Sequence, residues 1–131
     1  MPALNFQARF APLVESGKKR QTIRALRKHP IRAGEQLYLF TGMRTKSCRR
    51  LLTAVCTRAA KISITATSIT IEWPSSVPHC VNRQWESRPS ALESFAIADG
   101  FRDWSELISW FKATHGLPFQ GHLIEWESLR T

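Results

Sequence analysis

Lysine, arginine and threonine side chains stand close together in residues 17–24, GKKRQTIR, where their types and spacing suit anion binding or proton transfer. In a regular strand Arg20, Thr22 and Arg24 share one face, because side chains alternate with a period of two. Lys19 then faces the other way, unless the turn that precedes it is irregular. Two guanidinium groups beside a hydroxyl can hold a phosphate or a carboxylate through paired hydrogen bonds. A basic strand that faces solvent explains the same spacing equally well.

Lys19 and Thr22 also have the side chains that acyl-transfer chemistry needs. A threonine hydroxyl becomes a nucleophile when a neighbouring base removes its proton. Lys19 can act as that base if burial and the adjacent cations lower its pKa. The alternative role for Lys19 is that of a plain phosphate-binding cation.

The 131-residue chain has a net charge of +9, and the positive charge is concentrated in its first half. Residues 1–61 carry a net charge of +12, whereas residues 62–131 carry a net charge of −3. This asymmetry favours a polyanionic partner, RNA or a nucleotide, since each neutralised phosphate releases counterions. A solvated basic face is the alternative. We expect folding to gather the positive side chains around one concave opening. The predicted phosphate contacts are Lys18, Arg20, Arg24, Arg27, Lys28, Arg44, Lys46, Arg49 and Arg50.

Trp73 and Trp85 border the proline-containing stretch 74–89, which is predicted to be a long loop. An exposed tryptophan beside a basic groove can stack on a nucleic-acid base. The alternative is a loop that its aromatic side chains hold against the sheet. His79 in the same stretch is either an acid or base near neutral pH or an ordinary surface residue.

The sequence carries no pattern typical of a metal or cofactor site. The three cysteines, Cys48, Cys56 and Cys80, form neither a CxxC pair nor an even disulfide framework. His79 and Cys80 are adjacent, and neighbours in sequence rarely converge on one ion. Neither GxGxxG nor a P-loop occurs. We therefore predict no metal and no cofactor.

No apolar run reaches the roughly 18 residues of a membrane-spanning helix, and no apolar stretch of signal-peptide length occurs at the N-terminus. No basic amphipathic helix carries the positive charge toward a membrane surface. We therefore expect a cytoplasmic protein with no membrane partner.

Short strands with few helices dominate the hydrophobic pattern. A short helix is predicted around 10–14, and two later helices begin at the capping boxes Ser90 with Glu93 and Asp103 with Glu106. The pattern predicts one α+β domain, mainly β, over 1–131, with a small barrel or a curled sheet. The predicted strands are 4–6, 18–24, 36–41, 51–57, 61–67, 68–73 and 122–126.

Several segments together resemble the ASCH family, and the resemblance covers nearly the whole chain. It implies a PUA-like small β-barrel with two to three flanking helices. The stretch LFTGMRTK at 39–46 is similar to phage and bacterial members. The other matching segments are SGKKRQTIR at 16–24, DGF at 99–101, WSEL at 104–107 and HLIEW at 122–126.

Some small ASCH proteins are similar to amidohydrolases of acetylated cytidine. Their catalytic set is a Lys, a Thr three residues later and a Glu before the last helix. Lys19 and Thr22 match the first two, and Asp99 matches the third after a gap of one residue, with a side chain one methylene shorter. The resemblance thus implies that Asp99 passes a proton to the leaving group. An Asp before a Gly is also a common turn pair.

Three functions remain open from the sequence, because other ASCH members are proposed to bind or to cleave RNA. The first is RNA or nucleotide binding through a basic cleft. The second is hydrolysis of a modified nucleoside or of RNA. The third is a protein-interaction module, which the phage-like stretch 41–46 favours.

Overall fold

Seven strands and three helices make up the part of the chain that the computed structural model describes, residues 2–74 and 81–129. The prediction of an α+β fold that is mainly β is confirmed. The helices are α1 (Ala11–Glu15), α2 (Pro89–Ala98) and α3 (Trp104–Thr114). The strands are β1 (Ala3–Phe6), β2 (Gln21–Ala25), β3 (Gln36–Thr41), β4 (Arg49–Ile64), β5 (Ile69–Pro74), β6 (Val81–Glu86) and β7 (Phe119–Ser128).

The longest element is β4, which has sixteen residues and pairs with three other strands. The sequence predicts two separate strands here, 51–57 and 61–67, and this prediction is wrong. The register with β7 shifts between Cys56 and Arg58, so a β-bulge lies where a break was expected. A bulge inserts one extra residue and bends a strand without ending its pairing. β4 is therefore continuous.

All seven strands belong to one open sheet in which β4 has neighbours at both edges. Along one edge, β3 pairs with residues 49–55 and β5 with residues 61–64, both antiparallel. Along the other edge β7 pairs with residues 54–64, and β2 pairs with β7 beyond it. β1 extends the sheet in parallel next to β3, and β6 extends it next to β5. β1, β2 and β6 are therefore the terminal strands of the described sheet.

The hydrophobic core is one cluster of side chains from the sheet and from all three helices. Leu37 of β3 and Ile62 of β4 are at most 1% exposed, as are Leu107 and Phe111 of α3. The spacing of four residues between Leu107 and Phe111 places both on one face of α3, as the periodicity predicts. This packing fixes α3, and the end of α2 before it, against the sheet.

The capping boxes predicted for α2 and α3 have different outcomes. Asp103 is the N-cap of α3, and its carboxylate accepts a hydrogen bond from the Glu106 amide at 2.8 Å, as predicted. α2 instead begins after Arg88 without a side-chain cap, so its predicted box is wrong. Glu93 of that box accepts a hydrogen bond from the backbone amide of Trp104 at 3.2 Å. It therefore ties α2 to the start of α3.

The stretch 74–89, predicted as one long loop, contains a strand. Residues 81–86 form β6, which pairs antiparallel with β5 along its whole length. β6 is a polar strand, VNRQWE, and its backbone hydrogen bonds to β5 do not depend on apolar alternation. The prediction failed because it relied on that alternation.

Candidate functional site

Lys19 enters the interior of the protein from an irregular turn between α1 and β2. The turn is made at Gly17, whose φ of +81° lies in the left-handed region that glycine adopts without steric cost. The Lys19 amide then donates a hydrogen bond to the Leu13 carbonyl at 3.0 Å, and β2 begins only at Gln21. As a result the Lys19 side chain is only 3% exposed.

Arg20 does not share a face with Thr22 and Arg24, so the prediction from strand alternation is wrong. Arg20 stays exposed, and its Nε donates a hydrogen bond to the Gly17 carbonyl at 2.9 Å. Lys19 instead lines one cavity together with Thr22 and Arg24. The period of two holds within a strand, and Arg20 lies before β2 starts.

Asp99 meets Lys19 inside the protein. It is the C-cap residue of α2 and is 3% exposed. The Lys19 Nζ lies 3.6 Å from the Asp99 Oδ1 and donates a hydrogen bond to the Asp99 backbone carbonyl. The Gln21 Nε2 donates a hydrogen bond to the same Oδ1 at 3.4 Å. Asp99 therefore combines the turn position predicted for an Asp before a Gly with a buried charge partner.

Gly100 allows this close approach. Its φ is +97°, and a Cβ there would lie 3.0 Å from both the Lys19 Cδ and the Phe10 Cδ1. Another residue would strain the backbone and also press on the lysine stem. A glycine at this position therefore keeps the end of α2 next to Lys19.

Thr22 and Arg24 line the same cavity from β2. Thr22 is 6% exposed, and the Arg24 Nε donates a hydrogen bond to its Oγ1 at 3.3 Å. The Arg24 Nη2 also donates to the Asn5 carbonyl of β1 at 2.7 Å, which links the terminal strands β1 and β2. The guanidinium lies 4.9 Å from the centre of the Phe6 ring. The Thr22 hydroxyl is thus held beside a positive charge.

We call the space between these side chains the Lys19–Asp99 cavity. Its volume is about 290 Å³, near the lower end of the range for small-molecule sites. Phe10 and Phe101 pack edge to face with ring centres 5.4 Å apart, and the Lys19 Nζ lies 5.0 Å from the Phe10 ring centre. The walls are therefore largely aromatic. The residues that define the cavity are Phe10, Lys19, Thr22, Arg24, Asp99 and Phe101.

Burial shifts the pKa values of both charged partners toward their neutral forms. It raises the pKa of Asp99, against the opposing effects of the Lys19 charge and the Gln21 hydrogen bond. It lowers the pKa of Lys19, which the Asp99 charge opposes and the Arg24 charge reinforces. Proton transfer between such groups and a substrate costs less than it does for fully solvated groups.

Sequence reasoning missed two residues of this site. Gln21, which holds the Asp99 carboxylate, stands inside the basic segment, where nothing in its spacing distinguishes it. Phe10 was predicted only as an apolar residue of the first helix. Its contact with Lys19 depends on the turn at Gly17, which brings the lysine back toward the start of α1.

The other predicted phosphate contacts do not gather around this cavity, and the expectation of one basic opening is wrong. Of that set, Arg24 alone lines the Lys19–Asp99 cavity among the described residues. Lys18 and Arg20 line a separate hollow. The remaining six are exposed, and one of them, Arg49, pairs with Glu15 at 2.9 Å. Their contact with RNA stays a prediction. These six are Arg27, Lys28, Arg44, Lys46, Arg49 and Arg50.

Trp73 and Trp85 lie on opposite faces of the β5–β6 hairpin and do not form one stacking surface. Trp73 is opposite Asn82, and Trp85 is opposite Thr70. Directly paired residues share a face and neighbours along a strand alternate, which separates the two rings. Trp85 is 64% exposed, whereas the Trp73 Nε1 donates a hydrogen bond to the Gln84 Oε1 at 3.0 Å. Base stacking by either ring stays a prediction.

A larger depression lies beside Trp73, and we call it the β4–β5 groove. Its volume is about 950 Å³, and within the described residues it shares no lining side chain with the Lys19–Asp99 cavity. Its cations Arg32, Arg58 and Lys61 were not in the predicted binding set, although they belong to the basic half of the chain. The residues that define the groove are Arg32, Arg58, Lys61, Glu72, Trp73 and His122.

Within residues 2–74 and 81–129, no group of three or more His, Cys, Asp or Glu side chains is placed to hold a metal ion. Cys48 is exposed and Cys56 is buried, and burial raises the pKa of the Cys56 thiol to about 11. His79 and Cys80 lie outside the described residues. Among the helices of the same ranges, none has the length and apolar character needed to cross a bilayer.

Comparison with known proteins adds no relative to this picture. No protein-family model, no curated protein and no solved structure matches the chain. The resemblance to the ASCH family therefore stays a prediction.

Proposed function

We propose that this chain is an ASCH-type domain that hydrolyses the amide of an acylated nucleoside in the Lys19–Asp99 cavity. One observation carries the proposal: Lys19, Thr22 and Asp99, each matched to a catalytic residue of that family, line the same cavity. All three are at most 6% exposed. Titratable side chains that are buried in a cleft, with shifted pKa values and specific partners, are typical of active sites.

Thr22 is the nucleophile in this proposal. Its Oγ1 attacks the carbonyl carbon of the acyl amide, and its proton passes to the neutral amine of Lys19. The Arg24 Nε, which already donates to the Thr22 Oγ1 at 3.3 Å, stabilises the negative charge on that oxygen as its proton leaves. The product of this step is a tetrahedral intermediate.

Asp99 and Lys19 complete the reaction by moving protons. The C–N bond of the intermediate breaks as the leaving nitrogen takes a proton from the Asp99 carboxyl, which recovers one from the Lys19 ammonium. Water then attacks the acyl ester on Thr22 while Lys19 accepts a water proton. The ester bond breaks, the Thr22 oxygen takes this proton from the Lys19 ammonium, and the carboxylic acid leaves. Burial of Asp99 and Lys19 favours this exchange because it destabilises their charged forms.

The shorter acid at position 99 is compatible with this chemistry. The family residue is a Glu, and the Asp side chain lacks one methylene. The long Lys19 side chain reaches this shorter carboxyl, since its Nζ contacts both the Oδ1 and the backbone carbonyl of Asp99. Gly100 brings the backbone within reach because it has no Cβ to meet that stem.

The course of the sheet supports the PUA-like part of the proposal. β4 bends at a bulge and carries β7 on one edge, with β3 and β5 in sequence on the other. Arg24 of β2 donates to the Asn5 carbonyl of β1, so two of the three terminal strands approach one another. A sheet whose terminal strands approach is the arrangement from which a small barrel closes.

The test is release of acetate from acetylated cytidine by the purified chain. We expect Thr22→Ala to lower kcat/KM by at least about 1,000-fold, as loss of a nucleophile does in other acyl-transfer enzymes. Thr22→Ser keeps a hydroxyl and should retain measurable turnover. Thr114→Ala changes an exposed threonine at the end of α3 and serves as the matched control. Unchanged turnover in Thr22→Ala would remove the proposal.

RNA binding is the second candidate, and the six exposed cations outside the cavity favour it. Binding through phosphates predicts that log K falls linearly with log salt concentration, with a slope proportional to the phosphates neutralised. Anisotropy of a labelled single-stranded RNA, titrated at several salt concentrations, measures that slope. A flat salt response argues against this candidate, and Thr22→Ala should leave the RNA affinity unchanged.

A further inference from the structure

The β4–β5 groove carries positive charge that the described acidic residues do not fully neutralise. Arg58 pairs with Glu125 at 2.9 Å, and Glu72 pairs with Arg83 at 3.0 Å. Glu72 lies opposite Lys61 in the β4–β5 ladder but pairs with Arg83. Among residues 2–74 and 81–129, neither Lys61 nor Arg32 has a carboxylate within ion-pair distance, and both are exposed. These two cations are therefore available to an anion from solution. Arg58 and Glu72, in contrast, are each neutralised by their own ion-pair partner.

Trp73 provides a planar surface whose orientation is held from two sides. The Arg58 guanidinium lies 4.1 Å from the centre of the Trp73 ring. That guanidinium is itself fixed by two hydrogen bonds to the Glu125 carboxylate, at 2.9 and 3.2 Å. The Trp73 Nε1 is held by the Gln84 Oε1 at 3.0 Å. A preorganised aromatic ring and guanidinium lose little freedom when a flat ligand stacks on them.

His122 supplies a polar atom without a partner in the same groove. Its side chain is 7% exposed, and its Nδ1 accepts or donates no hydrogen bond within the described part of the chain. In the β4–β7 ladder His122 lies directly opposite Lys61, so both side chains point to the same face. A buried polar atom without a partner is unfavourable, and a ligand atom in the groove can satisfy it.

We propose that the β4–β5 groove binds a nucleotide unit, with its base against Trp73 and Arg58, its polar edge toward His122 and its phosphate near Lys61 and Arg32. The three features call for different parts of one ligand: a flat ring, a hydrogen-bonding edge and an anion. A nucleotide combines all three, and a volume of about 950 Å³ accommodates it. The inference goes beyond the proposed hydrolase, because the groove and the Lys19–Asp99 cavity share no described lining residue.

The experiment measures binding of a fluorescein-labelled twelve-residue oligouridine to the full chain by anisotropy, with unlabelled UMP as competitor. Displacement by UMP identifies a site for free nucleotides, whereas binding of the oligomer alone identifies a site for RNA. Either result supports a nucleotide unit in the groove if the variants below respond. No binding of either probe overturns the proposal.

The variants Lys61→Glu and Lys112→Glu make the same charge change inside the groove and on α3, respectively. We expect Lys61→Glu to weaken binding at least 10-fold and Lys112→Glu to change it less than 2-fold. Trp73→Leu should weaken binding at least 5-fold. Trp73→Phe keeps an aromatic ring and should weaken binding less; it also serves as the test if the leucine variant fails to fold. Equal losses in Lys61→Glu and Lys112→Glu would show that net charge alone drives binding and would overturn the proposal.

The Thr22→Ala variant separates this proposal from the proposed hydrolase. It should lose amide hydrolysis and keep its affinity for the oligomer or for UMP. Lys61→Glu should show the opposite pattern. Loss of oligomer binding in Thr22→Ala would place the nucleotide in the Lys19–Asp99 cavity and overturn the assignment to the groove.

Discussion

The Lys19–Asp99 cavity and the β4–β5 groove hold positive charge in opposite ways. In the cavity, Lys19 is buried among aromatic rings against one carboxylate, and Arg24 is partly buried beside it. In the groove, Lys61 and Arg32 project into solvent. Burial makes a charge costly and shifts its pKa, whereas exposure leaves it screened but accessible to a polyanion. One basic half of the chain thus supplies a region suited to chemistry and another suited to binding.

This difference predicts that substitutions in the cavity affect the free energy of unfolding, whereas substitutions in the groove affect binding. Removing one member of a buried ion pair leaves the other charge without compensation. Removing an exposed lysine leaves only a better-solvated surface. Unfolding experiments on matched variants therefore test the comparison directly.

The largest expected effect belongs to Lys19→Ala. It leaves the Asp99 carboxyl buried without its cation, and loss of one partner of a buried pair costs about 3–5 kcal/mol. Urea unfolding followed by circular dichroism measures this loss in the free energy of unfolding. A loss below about 1 kcal/mol would show that the pair is solvated and would break the comparison.

The double variant Lys19→Met/Asp99→Leu sharpens the same prediction. It replaces both charges with apolar side chains, and such replacements are often neutral or stabilising. We expect it to be more stable than Lys19→Ala and inactive as a hydrolase. If the double variant is as unstable as the single one, the buried charges are needed for the fold itself.

Gly100→Ala is expected to have the next largest effect on unfolding. Its φ of +97° disfavours any side chain, by about 1–2 kcal/mol for a left-handed residue. The new Cβ also meets the Phe10 ring and the Lys19 stem at 3.0 Å. Thermal unfolding should show a lower Tm. Gly116→Ala is the control, because it has a similar φ of +83° but nothing within 4 Å of the added Cβ.

The pH dependence of unfolding tests the burial of Asp99. Its pKa is raised in the folded state by burial, so the folded state binds more protons than the unfolded state near its ordinary value of 3.8. The contribution of Asp99 to stability is fully present below that value and is lost as pH rises through the raised folded pKa. Relative to Asp99→Asn, the wild-type chain should therefore gain stability as pH falls from 7 toward 4. A pH-independent difference in urea midpoint would contradict this.

Lys61→Gln is expected to have the smallest effect on stability. Lys61 is exposed, and a surface substitution of this kind changes the free energy of unfolding by at most about 0.5 kcal/mol. The same variant should bind oligouridine more weakly. A large loss of stability would mean that the groove is a structural contact, which would erase its contrast with the cavity.

Local signals in the sequence predicted several elements well. The bounds of β3 match the predicted strand 36–41, and the Asp103 carboxylate caps α3 as its box predicts. These features depend on residues within a few positions of one another. The β4 strand was divided wrongly because a bulge and a turn look alike in sequence, and only the partner β7 shows that pairing continues.

The candidate site was predicted less completely. The resemblance to the ASCH family implied Lys19, Thr22 and Asp99. Strand alternation predicted that Arg20 would share a face with Thr22 and Arg24, whereas the structure places Lys19 in their cavity. The contact between Lys19 and Asp99 joins residues 80 positions apart, a distance over which local periodicity carries no information. The groove cations were missed because Lys61 and Arg32 come together with Trp73 only through strand pairing and the preceding loop.

The sequence by itself determined how much positive charge the chain carries, the approximate positions of its three helices and of most of its strands, and which residue types are available for acyl transfer. The tertiary structure decided which of those charges are buried and which face solvent. The physical reason is that desolvation is produced by every side chain packed around a group, and these come from β1, β2, α3 and the α2–α3 connection at once. The type of ionisable group is a property of the residue, whereas the pKa of that group and its role in binding or catalysis depend on the fold.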